Sequence, residues 1–180
     1  MNLILYGFPC CGKTSCGILA ARRLERTFID IDDIIEALFF DPSHGRSMEL
    51  TCRQIFREYG DDYFRKLERD AIRRLRWLER AVVASGGGAV LDFINHQELS
   101  KLGRLIYLKL DQETLKQRLL SQDDLPAFLD PYRLDESIDH LYATRATIYE
   151  RIADEIIDVS QLSCDEVAEK ISSLVAIQQD

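Results

Sequence analysis

No stretch of this 180-residue chain is apolar for long enough to cross a membrane, and no basic region precedes its short N-terminal apolar run. Neither a membrane anchor nor a secretion signal is therefore expected. Positive charge is also short: 23 Lys and Arg stand against 31 Asp and Glu, a formal net charge of −8. General nucleic-acid binding, which needs a positive field against phosphates, is excluded on that ground. An anionic ligand would need a local cluster of Lys and Arg against the acidic background. No internal repeat or low-complexity linker divides the chain, and its 46% hydrophobic and 30% charged residues suit one globular domain over 1–180 with its own core. The five cysteines (10, 11, 16, 52 and 164) are odd in number and lack the two-residue ligand spacing of a metal site. Reduced thiols in a cytoplasmic protein are expected, with a monomer the simplest assembly. Cys10 and Cys11 read as small side chains tolerated in a tight loop, although a thiol near a helix N-terminus can acquire a lowered pKa.

What the chain does carry is concentrated at its beginning. Asn2-Leu3-Ile4-Leu5-Tyr6 reads as a buried strand, and Gly7, Gly12, Lys13 and Thr14 satisfy G-x-x-x-x-G-K-[ST] directly after it. Backbone N–H groups at the start of a helix, backed by the positive end of its dipole, form a cradle for phosphate oxygens. Lys13 can reach the outer phosphates and the Thr14 hydroxyl can ligate Mg²⁺, so a nucleotide triphosphate site is expected here.

Beyond this loop, helices are expected over 13–24, 34–40, 48–58, 61–80, 96–102, 112–120, 136–153 and 165–176. Short apolar strands are expected at 27–29, 81–84, 105–108 and 155–158. Asp41 to Gly45 reads as a loop by its Pro and Gly content, Gly60 as a break between two helices, and 121–133 as a mobile segment with two prolines. Strands alternating with helices give an α/β fold: a five-stranded parallel sheet flanked by helices, with ligands at the strands' C-terminal ends.

Three such strand ends hold polar or glycine-rich sequence. After the second strand, Asp30 is placed to complete a Mg²⁺ site with Thr14, since Mg²⁺ keeps several waters and needs few protein oxygens. Asp32 lies two residues on, placed to accept a hydroxyl proton, while Asp33 reads as a helix cap. After the third strand, Gly86-Gly87-Gly88 lets backbone approach a ligand closely. On the basic helix, Arg65 and Glu68 share a face at i,i+3, so Glu68 can steady a guanidinium suited to a carboxylate.

Taken together, Gly7-Phe8-Pro9-Cys10-Cys11-Gly12-Lys13-Thr14, Asp30-Ile31-Asp32, Phe64-Arg65-Lys66-Leu67-Glu68, Ser85-Gly86-Gly87-Gly88 and Arg145-Ala146-Thr147-Ile148-Tyr149 resemble the motif series of shikimate kinases, in order and spacing. The resemblance implies a P-loop kinase of the nucleoside-monophosphate-kinase type, with substrate-binding helices over about 32–60 and a closing lid over about 121–133. It implies transfer of the ATP γ-phosphoryl to the 3-hydroxyl of shikimate, on the way to chorismate and the aromatic amino acids. By position, Lys13 and Asp32 would be catalytic, with Asp32 on the shikimate hydroxyls. Arg65 and Arg145 would clamp the carboxylate, Gly86 to Gly88 would contact substrate through backbone, and Phe56 and Phe64 would line its apolar side. Cys10, Cys11, Gly12, Lys13, Thr14 and Ser15 would hold the ATP phosphates, Arg118 would lie against the adenine, and Thr14 with Asp30 would hold Mg²⁺.

The chain departs from that pattern twice. Cys10 and Cys11 stand where the family usually has Gly and Ser, and Leu125 precedes Pro126 where the lid usually carries an Arg. Arg133, just before the 136–153 helix, is the expected source of the missing lid charge. Two other readings remain open on the sequence: a kinase of the same fold with another small acceptor, and a nucleotide-binding regulatory protein without transfer activity.

Overall fold

A computed structural model describes residues 1–40, 49–122 and 125–176. The loop expected at 41–45, the expected helix start at Met48 and positions 123–124 of the expected lid lie outside them. Five strands form one parallel sheet in the order β2-β3-β1-β4-β5, with β1 at Asn2–Tyr6, β2 at Thr27–Asp30, β3 at Ala81–Ala84, β4 at Gly103–Lys109 and β5 at Glu155–Asp158. The register sets Leu3 beside Val82 and Ile4 beside Leu105. Every residue of β1 and β3 is buried, as two-sided coverage of a parallel sheet requires of continuous apolar strands. The helices are α1 (Lys13–Arg23), α2 (Ile31–Phe39), α3 (Cys52–Arg74), α4 (Phe93–Leu102), α5 (Gln112–Leu120), α6 (Leu134–Ile152) and α7 (Cys164–Ala176). α7 packs on α1, and α2 on α3.

Three elements differ from the sequence reading. α2 starts at Ile31 rather than 34, because Asp30, not Asp32 or Asp33, is its N-cap: the Asp30 carboxylate accepts from the Asp32 backbone N–H at 3.1 Å. Within α3, Gly60 (φ 82°, ψ 174°) breaks helical geometry between the two expected segments, as expected, in a conformation glycine adopts without a Cβ penalty. That helix ends at Arg74, not Arg80, and the chain turns into β3 through Arg80 in the left-handed region (φ 53°). α4 begins at Phe93, three residues before the expected start, because the Asp92 carboxylate caps the N–H groups of Ile94 and Asn95.

At the opposite end of the sheet, Asn2 fastens three connections. It is 2% exposed. Its side-chain amide donates to the carbonyls of Leu78 (2.7 Å) and Leu102 (2.8 Å) and accepts from the Ala81 N–H (2.9 Å). Asn2→Ala would leave buried backbone groups without partners, so a loss of about 3 kcal/mol is expected. Thermal unfolding checks this: Tm should fall by roughly 10 °C, and a fall under about 2 °C would remove Asn2 from this role.

Candidate active site

In a parallel sheet the C-terminal ends of the strands share one edge. β1 ends there in the loop Gly7–Gly12, β2 in Asp30, and β3 in Ser85–Gly88. The loop rests on an aromatic layer. Tyr6 stacks on Tyr107 (5.6 Å between centroids), Phe8 stacks on Tyr142 (5.1 Å), and Tyr149 of α6 stands edge-on to both Tyr6 and Phe8. The Tyr6 hydroxyl donates to the Tyr149 carbonyl at 2.7 Å, tying β1 to α6. Arg118 braces the loop from α5, donating to the carbonyls of Cys10 (3.0 Å) and Val159 (3.4 Å).

Lys13 curls back over this loop and donates to the carbonyls of Phe8 (2.9 Å) and Gly7 (3.4 Å). Burial opposes its charge, but the Cys11 thiol, Tyr149 and the Asp32 carboxylate favour it, and its pKa ends above the ordinary value. The Thr14 hydroxyl donates to Asp30 at 2.8 Å, so Asp30 both caps α2 and sets an oxygen pair at the mouth of the loop. Cys10 and Cys16 do not have the lowered pKa that a thiol near a helix N-terminus can acquire. Burial pushes Cys10 up, and Cys16, buried and 2.7 Å from the Cys164 sulfur where α1 meets α7, is pushed up to about 12.

A cavity of about 350 Å³ opens beside the loop, lined by Lys13, Asp32, Arg65, Gly86, Gly87, Gly88 and Arg145 among others. Asp32 stands in the first turn of α2 with its side chain open to the cleft. Enclosure by protein on its other sides raises its pKa, Asp30, Glu68 and Glu36 add like charge, and Lys13 pulls the other way; the carboxyl is pushed up to about 6. That places its titration within reach of neutral pH, as proton acceptance demands.

Arg65 and Glu68 meet as their i,i+3 spacing predicts. Arg65 Nη1 donates to both Glu68 oxygens (2.9 and 2.8 Å) and Nε to Asp61 at 3.1 Å. Glu68 is 3% exposed and also accepts from Asn95 Nδ2 at 3.1 Å. Burial raises the Glu68 pKa against the pull of Arg65.

Two of the three glycines have partners the sequence does not name. A Cβ on Gly88 would fall 2.8 Å from Arg65 Nη2, so its absence lets the guanidinium lie flat on the backbone. A Cβ on Gly87 would fall 2.5 Å from the Tyr149 hydroxyl and 2.6 Å from the Gly7 carbonyl oxygen. Gly87 thus lets β3, the phosphate loop and α6 close on one another.

Phe56 and Phe64 meet edge-on (5.7 Å) on one cavity wall, and Arg145 lies 5.2 Å over Phe128, which forms the rim with Pro126 and Ala127. Arg133 is not brought to this cavity: it stands at the start of α6, 68% exposed, paired with Glu136 at 2.6 Å. Cys52 and Arg53, which the sequence reading passed over, do line it. Their one available signal was spacing, since Arg53 precedes Phe56 by three residues and so shares its helix face.

A family model described as shikimate kinase matches residues 9–176. The shikimate kinase of Syntrophus aciditrophicus is 36% identical over 181 aligned positions, covering 94% of this chain and 88% of that protein. The shikimate kinase of Thermoanaerobacter pseudethanolicus is also 36% identical, covering 94% and 93%. Among solved structures, a shikimate kinase from Acinetobacter baumannii in complex with shikimate superposes with a TM-score of 0.84 at 28% identity, over 99% of this chain and 94% of that one.

Proposed function

The chain belongs to the shikimate kinase family, and we propose that its cleft passes the ATP γ-phosphoryl to the 3-hydroxyl of shikimate, giving shikimate 3-phosphate and ADP. The observation that carries this reading is the lining of one cavity by Lys13, Asp32, Arg65 and Arg145. A phosphate-loop cation, a carboxylate with a raised pKa and two guanidinium groups suit a donor triphosphate, an alcohol and a carboxylate respectively.

In this reading the loop from Cys10 to Ser15 holds the phosphates through backbone N–H groups, and Lys13 reaches the outer ones. Arg118, fixed to the Cys10 carbonyl, flanks the adenine. Asp32 accepts the hydroxyl proton. Arg65, with Nη1 and Nε committed to Glu68 and Asp61, offers Nη2 to the shikimate carboxylate, and Arg145 meets it from α6. Phe56 and Phe64 take the apolar face of the ring, and the Gly86 to Gly88 backbone its polar edge. The Thr14–Asp30 oxygen pair suits Mg²⁺, which takes oxygen ligands and keeps several waters. When bound there, Mg²⁺ supplies neutralisation of phosphate charge.

A coupled ADP-release assay tests the reading. Turnover with shikimate and none with nucleoside monophosphates is expected; turnover confined to any other acceptor would overturn it. The pH profile follows from Asp32. Its carboxyl titrates near 6 rather than in the ordinary carboxylate range, and the base must be ionised. Therefore kcat/KM should fall about tenfold per pH unit below about 6 and level off above it. A profile flat down to about pH 5 would mean another group accepts the proton.

A further inference from the structure

The kinase reading makes no use of the two thiols that meet between α1 and α7. Cys16 Sγ and Cys164 Sγ lie 2.7 Å apart, although 148 positions separate them in the chain. A covalent S–S bond is about 2.05 Å long, so the sulfurs stand only about 0.7 Å short of one. Among the described residues no group of three or more His, Cys, Asp or Glu side chains is set to hold a metal ion. Two sulfurs alone are too few ligands for a structural zinc site.

The fold holds both sulfurs where they are. Cys16 is 3% exposed in the first turn of α1, and its N–H donates to the Gly12 carbonyl at 2.8 Å. Cys164 is half-buried and opens α7, inside a reciprocal cap. There the Ser163 N–H donates to the Glu166 carboxylate at 2.8 Å and the Glu166 N–H donates to the Ser163 hydroxyl oxygen at 3.3 Å. The same two helices are joined at the surface by Arg23 and Asp165 at 2.9 Å.

Space around the pair restricts what oxidation can make of it. A Cβ on Gly12 would fall 2.9 Å from Cys16 Sγ, so that sulfur lies close beneath the phosphate loop, with Cys164 on another side. An oxygen added to Cys16 has to displace one or the other, whereas a disulfide adds no atom. Burial and the bond to Cys164 keep Cys16 in its thiol form, its pKa pushed up to about 12. The partly exposed Cys164 is therefore the sulfur that an oxidant meets first.

We propose that Cys16 and Cys164 are a site of reversible oxidation, at which a hydroperoxide joins α1 to α7 through a disulfide. The inference goes beyond the kinase reading and does not depend on the acceptor. The Cys164 sulfur gives up its proton and attacks the hydroperoxide. An S–O bond forms, the O–O bond breaks, and with hydrogen peroxide the departing hydroxide takes that proton and leaves as water. The Cys16 sulfur then displaces the hydroxyl from the Cys164 sulfenic acid: the S–S bond forms, the S–O bond breaks, and the hydroxyl leaves as water with the Cys16 proton. Two thiols lose two electrons in all, and the peroxide is reduced to two molecules of water. A dithiol undoes the bond by exchange, so it is of the transient kind found in reducing compartments. While it lasts, it closes a loop of 148 positions and pins α7 to the helix that carries the phosphate loop.

The test treats the intact protein with stoichiometric hydrogen peroxide, blocks the remaining thiols and maps the peptides by mass. A crosslink between Cys16 and Cys164 that dithiothreitol removes is expected. Crosslinks confined to other cysteines, or Cys164 carried to the sulfinic acid with Cys16 free, would overturn the proposal. The Tm of the oxidised protein should stand roughly 5–15 °C above that of the reduced one, and a rise under about 2 °C would overturn it. Two variants read the order of attack. Cys16→Ala should leave Cys164 as a sulfenic acid that a cyclic diketone traps, and Cys164→Ser should leave Cys16 unlabelled; the reverse labelling would overturn this route. ADP affinity should agree within a few-fold between the two states, since neither sulfur is among the groups lining the cleft. A loss of ADP binding that dithiothreitol restores would make the pair a switch on the phosphate loop and overturn its reading as a fastening.

Discussion

Asp32→Asn is expected to lower kcat by roughly 10²–10⁴-fold while leaving ADP affinity within a few-fold of wild type. Asn has the shape of Asp and can still hydrogen-bond a hydroxyl, but it cannot take the proton away. The charge that is lost is one the fold resists. Enclosure in the cleft and the fields of Asp30, Glu68 and Glu36 raise the Asp32 pKa to about 6. A carboxyl whose folded pKa lies above its unfolded value lowers stability as it ionises, so the cost appears as pH rises through the ordinary carboxylate range to about 6 and persists above. Removing the charge should therefore leave Tm at pH 7 unchanged or higher. Loss of turnover without loss of stability separates a reacting group from a structural one. A kcat within a few-fold of wild type, or a variant that loses Tm along with kcat, would take the proton-accepting role from Asp32.

Asp30 shows where the sequence was informative and where it fell short. Its place after an apolar strand, in the same chain as a phosphate loop, was enough to pair it with Thr14, and the two meet at 2.8 Å. That it also caps α2 was not legible, because three acids in four residues, Asp30, Asp32 and Asp33, offer equal capping chemistry. Only the backbone direction at the strand end selects among them. The parallel five-stranded sheet was legible for a different reason: a continuous apolar run as short as Ala81 to Ala84, closed by glycines, suits a buried strand better than a helix, and such runs alternate with helical stretches along the chain. Gly60 was legible as a break, because its backbone there (φ 82°, ψ 174°) is one that a residue with a Cβ rarely adopts. The glycine triplet was read as room for a ligand, and it does line the cavity, but Gly87 and Gly88 also make room for Tyr149, the phosphate loop and Arg65. Those partners lie far along the chain, and single-sequence spacing does not report them. Arg53 was hidden for the same reason, as one of many arginines until the folded chain set it on the cavity wall.

Arg65 should give the second large effect, and in two separable parts. Arg65→Met removes the arm offered to the substrate carboxylate. Charged, hydrogen-bonded contacts of this kind are worth roughly 2–5 kcal/mol, so the KM for shikimate should rise on the order of 100-fold or more. The same change strands Glu68, whose side chain is 4% exposed and would keep only Asn95 of its two described partners. Breaking a buried pair from one side costs about 3–5 kcal/mol, so Tm should also drop steeply. Low turnover from Arg65→Met alone could then be unfolding. Combining Arg65→Met with Glu68→Gln separates the two, because the amide that replaces the carboxylate leaves no buried charge and can still accept from Asn95. Most of the lost Tm should return while the KM for shikimate stays high. If the double variant regains the wild-type KM, Arg65 is a brace for Glu68 and the carboxylate belongs to Arg145 alone. If Tm fails to return, the cost lies in the lost packing of the Arg65 stem against Phe64, whose ring lies 5.5 Å beneath the guanidinium, rather than in the stranded charge. A raised KM beside a restored Tm is the outcome expected of a guanidinium that the fold holds in place for a substrate.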